Sequence, residues 1–359
     1  MAFSTFDVWD QALLTTVIQR PPAGRAPGAA EDAPFLGEAL APFTTLPGRN
    51  ARVRVSELKP FGTGQFRAPD ATPPLFKPAV AWREVVLELV LIDEMERIQE
   101  EDWMKLHSAD EQLRLSAGAS LVDRGRILQL RNQRATEKLR WQAFSGQVTV
   151  VYPTGSTLLV DYGLTASHKP TVSTLWSDTT NADPVADIQA WSELIAADSG
   201  FYGNRVHMNS VTYDFLIRNA KVKNAINYYA PSANVIFRPR REDLLNLFTS
   251  FATNVDIVIY DNGYREVGAT SIGVGSITKY LPNGKVMMTT NYSVDGVNIA
   301  DTLDGQVSVS NGYNSVAIRQ GEQAEVMLEH LAKQHFLRYA SARIPRILIP
   351  EAFLWATVS

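Results

Sequence analysis

One long stretch with a helical pattern constrains the fold more than any other feature of this sequence. Ser108 and Glu111 have the spacing of a helix capping box, and apolar residues then recur at helical spacing out to Gly146. A helix over residues 108–145 would measure about 55 Å at 1.5 Å per residue. Because this length is nearly twice the diameter of a small domain, we expect the helix to act as a spine for other elements.

The predicted spine helix has an apolar stripe and a basic face. Leu121, Leu128 and Ala135 recur every seven residues, whereas Gly118 and Gly125 weaken the helical pattern locally. A run of charge on a helix is ordinarily a solvated face, and the alternative is ion pairing or contact with a polyanion. The candidate contact residues of this basic face are Arg124, Arg131, Arg134 and Lys138.

The first 50 residues have the pattern of an extended arm. Glycine and proline interrupt them so often after Pro21 and Pro22 that we expect little regular structure and no part in a compact core. The scattered apolar side chains of this arm need a surface to lie on. These anchors are Phe35, Leu36, Phe43 and Leu46. Two interpretations stay open: a disordered leader, or an arm that docks on another subunit.

A long hairpin is predicted over residues 51–88. Residues 52–56 and 82–89 have strand patterns, and the connection of roughly 20 residues between them is unusually long for a compact domain. We therefore expect the hairpin to reach away from the body and to use its tip for contacts. The candidate contact residues of the tip are Phe61, Phe66, Arg67, Leu75 and Phe76.

The remainder mixes helices and strands, which predicts an α+β chain. Residues 147–152 and 157–162 form a predicted hairpin, and acidic residues crowd together over 93–102. Helices are predicted near 185–195, 209–215 and 244–248, with strands near 206, 255–260 and 285–290. Asn-Gly pairs at 262–263 and 283–284 supply tight turns, and Asp304-Gly305 also has a turn pattern.

Composition excludes several classes of protein. The 359 residues include no cysteine, so disulfide frameworks and thiolate metal sites cannot form. The net charge of −4 argues against a dedicated nucleic-acid binder. The N-terminus lacks the basic and apolar regions of a secretory signal, and the most apolar runs, 85–92 and 255–260, are too short to span a bilayer.

No motif for catalysis or metal binding is present in the sequence. It lacks the Gly-x-Ser-x-Gly nucleophile elbow, a phosphate-binding loop with its lysine, and the calcium loop of an EF-hand. His330 and His335 would lie about 140° apart around a helix and could not share a metal. We therefore predict no catalytic residue, no cofactor and no metal, and a protein that is not an enzyme.

The order of these parts resembles that of the tailed-phage major capsid proteins with the Hong Kong 97-type fold, and within them the phage lambda head-protein family. The segments that carry the resemblance are 159–163 (Leu-Val-Asp-Tyr-Gly), 183–188 (Asp-Pro-Val-Ala-Asp-Ile), 254–260, 279–286 and 349–353. The resemblance implies a major capsid protein that self-assembles through hexamers and pentamers into an icosahedral shell around double-stranded DNA.

The same resemblance implies a domain organisation and a set of partners. Residues 89–170 and 325–359 would form a peripheral domain that contains the spine helix, and residues 171–324 an axial domain around the five- and six-fold axes. The hairpin would lie over a neighbouring subunit. A scaffolding protein, a portal and a decoration protein are the implied partners, with weak non-specific contact to packaged DNA, no membrane, assembly in the host cytoplasm and a place in the virion capsid.

Some relatives crosslink a hairpin lysine to an asparagine of a neighbour. Lys59 and Lys77 flank the hairpin tip here, but neither matches that motif, so crosslinking stays open. Two other functions also stay open. One is an encapsulin-like compartment shell, and the other is a soluble enzyme or binding protein without a recognisable motif.

Overall fold

The structure is a computed structural model with an α+β architecture. It describes residues 11–19, 35–48, 50–56, 82–152, 154–229, 239–250, 255–265, 276–291, 293–294, 297–310, 316–329 and 334–359. The helices of the described residues are α1 (Gln11–Gln19), α2 (Leu36–Leu40), α3 (Glu100–Leu106), α4 (Glu111–Phe144), α5 (Pro184–Ser199), α6 (Ser210–Arg218), α7 (Ala220–Tyr229) and α8 (Arg241–Ser250).

The strands of the described residues are mostly short, and β18 is the longest of them. They are β1 (Phe43–Thr45), β2 (Asn50–Ser56), β3 (Trp82–Glu88), β4 (Val90–Ile98), β5 (Gln147–Val151), β6 (Thr157–Asp161), β7 (Arg205–Met208), β8 (Asp256–Ile259), β9 (Gly263–Tyr264), β10 (Thr278–Lys279), β11 (Lys285–Thr289), β12 (Ser293–Val294), β13 (Val297–Asn298), β14 (Ala300–Asp304), β15 (Gln306–Ser310), β16 (Val316–Gln320), β17 (Gln323–Glu329), β18 (Gln334–Ile347) and β19 (Phe353–Thr357).

The spine helix predicted over 108–145 is present as α4. Its 34 residues give a length of about 51 Å. Asp110 rather than Ser108 caps its first turn, because the Asp110 Oδ1 atom accepts a hydrogen bond from the Gln112 N–H at 2.9 Å. The Ser108 hydroxyl instead accepts from the Asp110 N–H. The predicted helix is thus correct in extent, and its cap is displaced by two residues.

The chain divides into two compact units. The first contains residues up to Arg52 together with 86–140 and 301–346, and the second contains 53–85, 141–300 and 347–359. The peripheral and axial domains implied by the family resemblance are drawn on different boundaries, at 171 and 325, and that division stays a prediction. None of the described helices has both the length and the apolar character that a membrane-spanning helix needs.

A five-stranded sheet underlies the first unit. Its strands run in the order β1-β14-β18-β17, and β4 pairs with β18 as well. β18 is antiparallel to both β17 and β4, with Tyr339 opposite Ala324 on one side and Glu94 on the other. Apolar side chains of α4 and this sheet form the core. Its members include Leu121 and Leu128 of α4 and Leu337 of β18.

The expectation that residues 1–50 carry little regular structure and stay outside the core is wrong for 11–19 and 35–48. Leu14 and Ile18 of α1 are buried in the core of the first unit. The Thr15 hydroxyl accepts from the Ala324 N–H at 3.0 Å, which fixes α1 on β17. A Cβ built on Gly125 would lie 2.4 Å from the Ile18 Cδ1 atom, so glycine in α4 makes room for α1.

The second N-terminal segment is also fixed to the first unit. The Gly37 N–H donates to the buried Glu137 carboxylate of α4 at 2.9 Å, and a Cβ on Gly37 would lie 2.4 Å from that carboxylate. β1 then pairs in parallel with β14, with Phe43 opposite Thr302. The breakers thus shorten the elements of the arm without preventing them, because each short element has a partner elsewhere in the chain.

The second unit contains a four-stranded sheet in the order β19-β11-β7-β8, with helices that supply buried side chains to the same core. The predicted helices near 185–195, 209–215 and 244–248 are α5, α6 and α8. The Asp183 side chain caps α5 through the Ala186 N–H, and Gly200 ends it with φ of 80°. The Asn209 side chain caps α6 through the Thr212 N–H at 2.8 Å. Local capping chemistry explains why these elements are readable from sequence.

Candidate assembly surfaces

The tip of the predicted hairpin lies outside the described residues, and its base lies within them. β2 and β3 pair with each other in a two-stranded sheet, as the strand patterns at 52–56 and 82–89 predict. The predicted contact residues of the tip all fall in the segment that the structure leaves undescribed. They are Phe61, Phe66, Arg67, Leu75 and Phe76.

The basic face of the spine helix meets acidic side chains of the same chain. The Arg124 Nη2 atom lies 2.8 Å from the Asp102 Oδ2 atom of α3, and its Nε atom lies 3.7 Å from the Glu96 carboxylate of β4. The Arg131 Nε atom lies 2.8 Å from the Glu94 carboxylate, also of β4. Because these pairs are partly exposed, each contributes about 0.2–1 kcal/mol to stability.

The two remaining candidates of the basic face differ in exposure. Arg134 is exposed and Lys138 is half-buried on α4. Arg124 and Arg131 therefore join two features that are separate in the sequence. These are the acidic residues of 93–102 and the basic residues of α4. This pairing reduces the positive potential that the face presents to a polyanion.

A buried group of charges lies where β14 meets β18. The Arg343 Nε atom is 3.1 Å from the Asp304 carboxylate, and its Nη1 atom is 2.6 Å from Glu322. Burial acts to lower the pKa of Arg343, but the two carboxylates more than compensate and raise it. Burial also raises the pKa of Asp304, an effect that Arg343 offsets only in part. Asp304 thus has a structural role that its turn pattern did not indicate.

Further arginines of β18 repeat this pairing. Arg346 contacts the Asp301 carboxylate of β14. Arg338 binds the Asp93 carboxylate of β4 through its Nε atom at 2.8 Å and the Glu325 carboxylate of β17 at 2.5 Å. Paired buried charges are costly to break, because removal of one partner leaves the other charge without compensation. The arginines therefore fix the register of the strands that they join.

The N-terminal segment covers part of this charged group. The guanidinium groups of Arg140 and Arg343 both lie over the ring of Phe43, at 4.6 Å and 4.2 Å from its centroid. A cation over an aromatic face is attracted by its quadrupole. The Thr302 N–H donates to Pro42 O at 2.8 Å and the Leu46 N–H to Asp304 O at 2.9 Å. Phe43 is thus an anchor, as the sequence indicates, but on its own subunit.

The β15–β16 hairpin presents the most exposed apolar strand that the structure describes in the first unit. Val316 and Ile318 are 74% and 69% exposed. The hairpin is held by its other strand, because Ser308 O accepts from Arg338 at 2.9 Å and the Ser310 N–H donates to Glu325 at 2.6 Å. This strand is not among those predicted from the sequence. The alternation of Val316 and Ile318 with other residues is the signal that could have found it.

The described histidines have structural surroundings. His168 is buried between the Asp198 carboxylate at 2.9 Å and Phe353 O at 2.6 Å. Complete burial lowers the pKa of His207 to about 3. His335 stacks on Trp103 with a centroid distance of 3.6 Å. Within the described ranges, His, Asp and Glu side chains form no group of three or more that could hold a metal ion.

Comparison with known proteins points to capsids. Residues 84–302 match the family described as phage major capsid protein E. The curated proteins compared with the chain include no match. A solved phage-related protein from Bordetella bronchiseptica RB50 has 14% identity and a TM-score of 0.58, and the alignment covers 98% of this chain and 97% of that one.

A second solved structure is similar to the same degree. It is assigned as the capsid protein of a prophage in Escherichia coli CFT073 and has 13% identity and a TM-score of 0.56, with 100% of both chains covered. These likenesses confirm the predicted α+β fold of the Hong Kong 97 type. The family match covers well over half of the chain and favours a phage capsid over the encapsulin-like alternative. The chain therefore belongs to the phage major capsid protein E family.

Proposed function

We propose that this chain assembles through hexamers and pentamers into the icosahedral shell of a tailed phage, around double-stranded DNA, as a structural subunit without catalytic activity. The observation that carries the proposal is the set of large apolar side chains that the described part of the subunit leaves exposed. Prominent members are Leu91 and Met95 of β4, Ile127 and Leu130 of α4, and Val316 and Ile318 of β16.

These exposed side chains suit contacts that are individually weak and many times repeated. Covering apolar surface stabilises a contact by about 25 cal/mol per Å². Symmetry repeats each contact around a closed shell, so modest interfaces are sufficient. The arginine pairs of β18, of which that of Arg343 is buried and those of Arg338 and Arg346 are partly buried, support a subunit whose body stays rigid while such contacts form.

The hairpin over 51–88 would lie over a neighbouring subunit, with its apolar tip as the contact. Residues 89–170 and 325–359 would act as the peripheral domain and residues 171–324 as the axial domain. This assignment rests on the family resemblance. The pairing of β2 with β3 at the base supports a hairpin that leaves the body as one ribbon.

Contact with packaged DNA would be weak and non-specific. The chain carries a net charge of −4, and two of the candidate arginines of α4 are paired with carboxylates of the same subunit. A subunit of this kind lines a DNA-filled shell without clamping the phosphates. A scaffolding protein, a portal and a decoration protein are the proposed partners, and assembly takes place in the host cytoplasm.

Electron microscopy and sedimentation of the purified full-length chain test the proposal. We expect uniform hollow particles or capsomers. A stable monomer of 39.7 kDa would overturn it in favour of a soluble enzyme or binding protein.

The role of the hairpin has its own test. Deletion of residues 61–76, and separately the change of Phe61, Phe66, Leu75 and Phe76 to serine, should each give a folded chain that fails to close shells. The serine variant keeps the loop length, and a Lys59→Ser, Lys77→Ser variant is the control that should still assemble. Normal particles from the serine variant would exclude the apolar tip as a contact.

A further inference from the structure

The outer edge of β16 is open in the part of the chain that the structure describes. Among the described strands, β16 pairs with β15 only, in the register Ser308 opposite Ile318 and Ser310 opposite Val316. An exposed apolar edge strand is a template for pairing with another chain, and proteins ordinarily protect such edges with charge, proline or a bulge. β16 has one charged residue, Arg319, and no proline.

The hydrogen bonds of the hairpin define which backbone groups point outward. The Gly321 N–H donates to Gly305 O at 3.0 Å, and Ser308 O and the Ser310 N–H bind side chains on the side away from β16. Successive residues of a strand point their backbone groups to opposite sides, and directly paired residues alternate in type. The N–H and C=O groups of Val316, Ile318 and Gln320 therefore point away from β15.

We propose that β16 pairs with β16 of a second copy, antiparallel about a two-fold axis at Ile318. In this register Ile318 faces its counterpart and Val316 faces Gln320 of the partner copy, which gives about six backbone hydrogen bonds. The proposal deepens the proposed function, because every closed icosahedral shell contains two-fold contacts between identical surfaces.

The sequence of the strand selects this register. All five residues of β16 overlap, and each Arg319 faces an alanine, Ala317, rather than the other guanidinium. A register centred on Arg319 would place two like charges opposite each other, which is unfavourable. A register centred on Ala317 would pair only three residues of the strand. These three registers all pair outward N–H and C=O groups of the two strands. Only the register centred on Ile318 pairs all five residues and keeps the two Arg319 side chains from facing each other.

Cysteine crosslinking tests the two-fold pairing without background, because the chain contains no cysteine. Facing residues of a hydrogen-bonded pair have Cα atoms about 5.5 Å apart, within the range of a disulfide. Ile318→Cys in the full-length chain should therefore form a disulfide-linked dimer under mild oxidation. Val316→Cys is the matched control, since its counterparts would lie about 14 Å apart along the strand.

On non-reducing gels, we expect the amount of disulfide-linked dimer to be at least tenfold higher for Ile318→Cys than for Val316→Cys. The comparison applies to any oligomer that the two variants form. If particles form without an excess of the Ile318→Cys dimer, the strand pairing is refuted and the proposed shell function is not. The dimer without any particles would refute the shell and support the pairing. Ile318→Glu should lower particle yield at least tenfold with unchanged circular dichroism, and an undiminished yield would also overturn the pairing.

Discussion

Replacement of Gly125 by alanine tests whether α1 packs against its own subunit. Gly125 lies inside α4, where alanine is favoured over glycine by about 1 kcal/mol. The packing opposes that preference, because a Cβ at this position would lie 2.4 Å from the Cδ1 atom of Ile18 and 2.8 Å from its Cγ1 atom. Either Ile18 or the whole of α1 must then move.

The two effects can be compared in size. Overpacking of a buried contact costs about 1–3 kcal/mol. After subtraction of the helix preference, we expect Gly125→Ala to lower the free energy of unfolding by about 1 kcal/mol. In an Ile18→Ala background the obstructing atoms are absent, and the same change should raise it by about 1 kcal/mol. The coupling energy between the two sites is then about 2 kcal/mol.

Urea unfolding of the four unassembled chains, followed by circular dichroism, measures this cycle. Ile18→Ala alone should cost about 2–5 kcal/mol, since it empties a buried site. A change in sign of the Gly125→Ala effect between the two backgrounds supports the packing of α1 on α4. Equal stabilisation by Gly125→Ala in both backgrounds would show that Ile18 does not contact Gly125.

Three further predictions concern charge. The double change Arg131→Glu and Arg134→Glu should leave the subunit folded but lower the DNA content of particles, measured by the ratio of absorbance at 260 and 280 nm. Unchanged assembly and DNA content would refute a DNA contact of the basic face of α4. His207, whose folded pKa of about 3 lies below its usual value near 6.5, stabilises the fold above pH 6.5 and loses that contribution on acidification. The His207 contribution should make the fold about 2 kcal/mol less stable at pH 5 than at pH 7, as measured by urea unfolding. His207→Leu should remove this part of the loss, whereas a smaller part due to His335, whose pKa is also lowered, should remain. An equal loss in both chains would contradict the assignment. The pKa of Asp304 is raised, so its effect on stability has the opposite dependence on pH: the contribution is present below the usual carboxyl pKa and is lost as the pH rises through the raised pKa. Asp304→Asn should therefore weaken the fall in stability above pH 4. An unchanged pH profile of stability would contradict this prediction.

Elements with local signals were predictable from the sequence. The period of α4, the caps at Asp183 and Asn209, and the Asn-Gly turn before β11 all act over a few residues. Such signals need no knowledge of the partner element. The overall fold was predictable only from the family resemblance, because that resemblance depends on the order of the parts along the chain and not on any single element.

Features that depend on distant partners were not predictable. The docking of α1 depends on the absence of a side chain at Gly125, more than 100 residues away, where the sequence alone shows only a weak helix former. The pairing of Asp304 with Arg343 likewise joins two strands whose proximity is set by the sheet. The tip of the hairpin, the most important predicted contact, lies outside the described residues.

The docked N-terminal segments change which surfaces can drive assembly. An arm with exposed apolar side chains could contribute them to contacts between subunits, but Leu14, Ile18 and, among the predicted anchors, Phe35 are already buried within the first unit. A contact with a neighbour through these residues would first have to break that packing, at a cost comparable to the gain. Assembly must therefore draw on surfaces that the folded subunit leaves uncovered, such as the edge of β16. It follows that changes at Ile318 should alter particle yield more than stability, whereas changes at Ile18 should alter stability first.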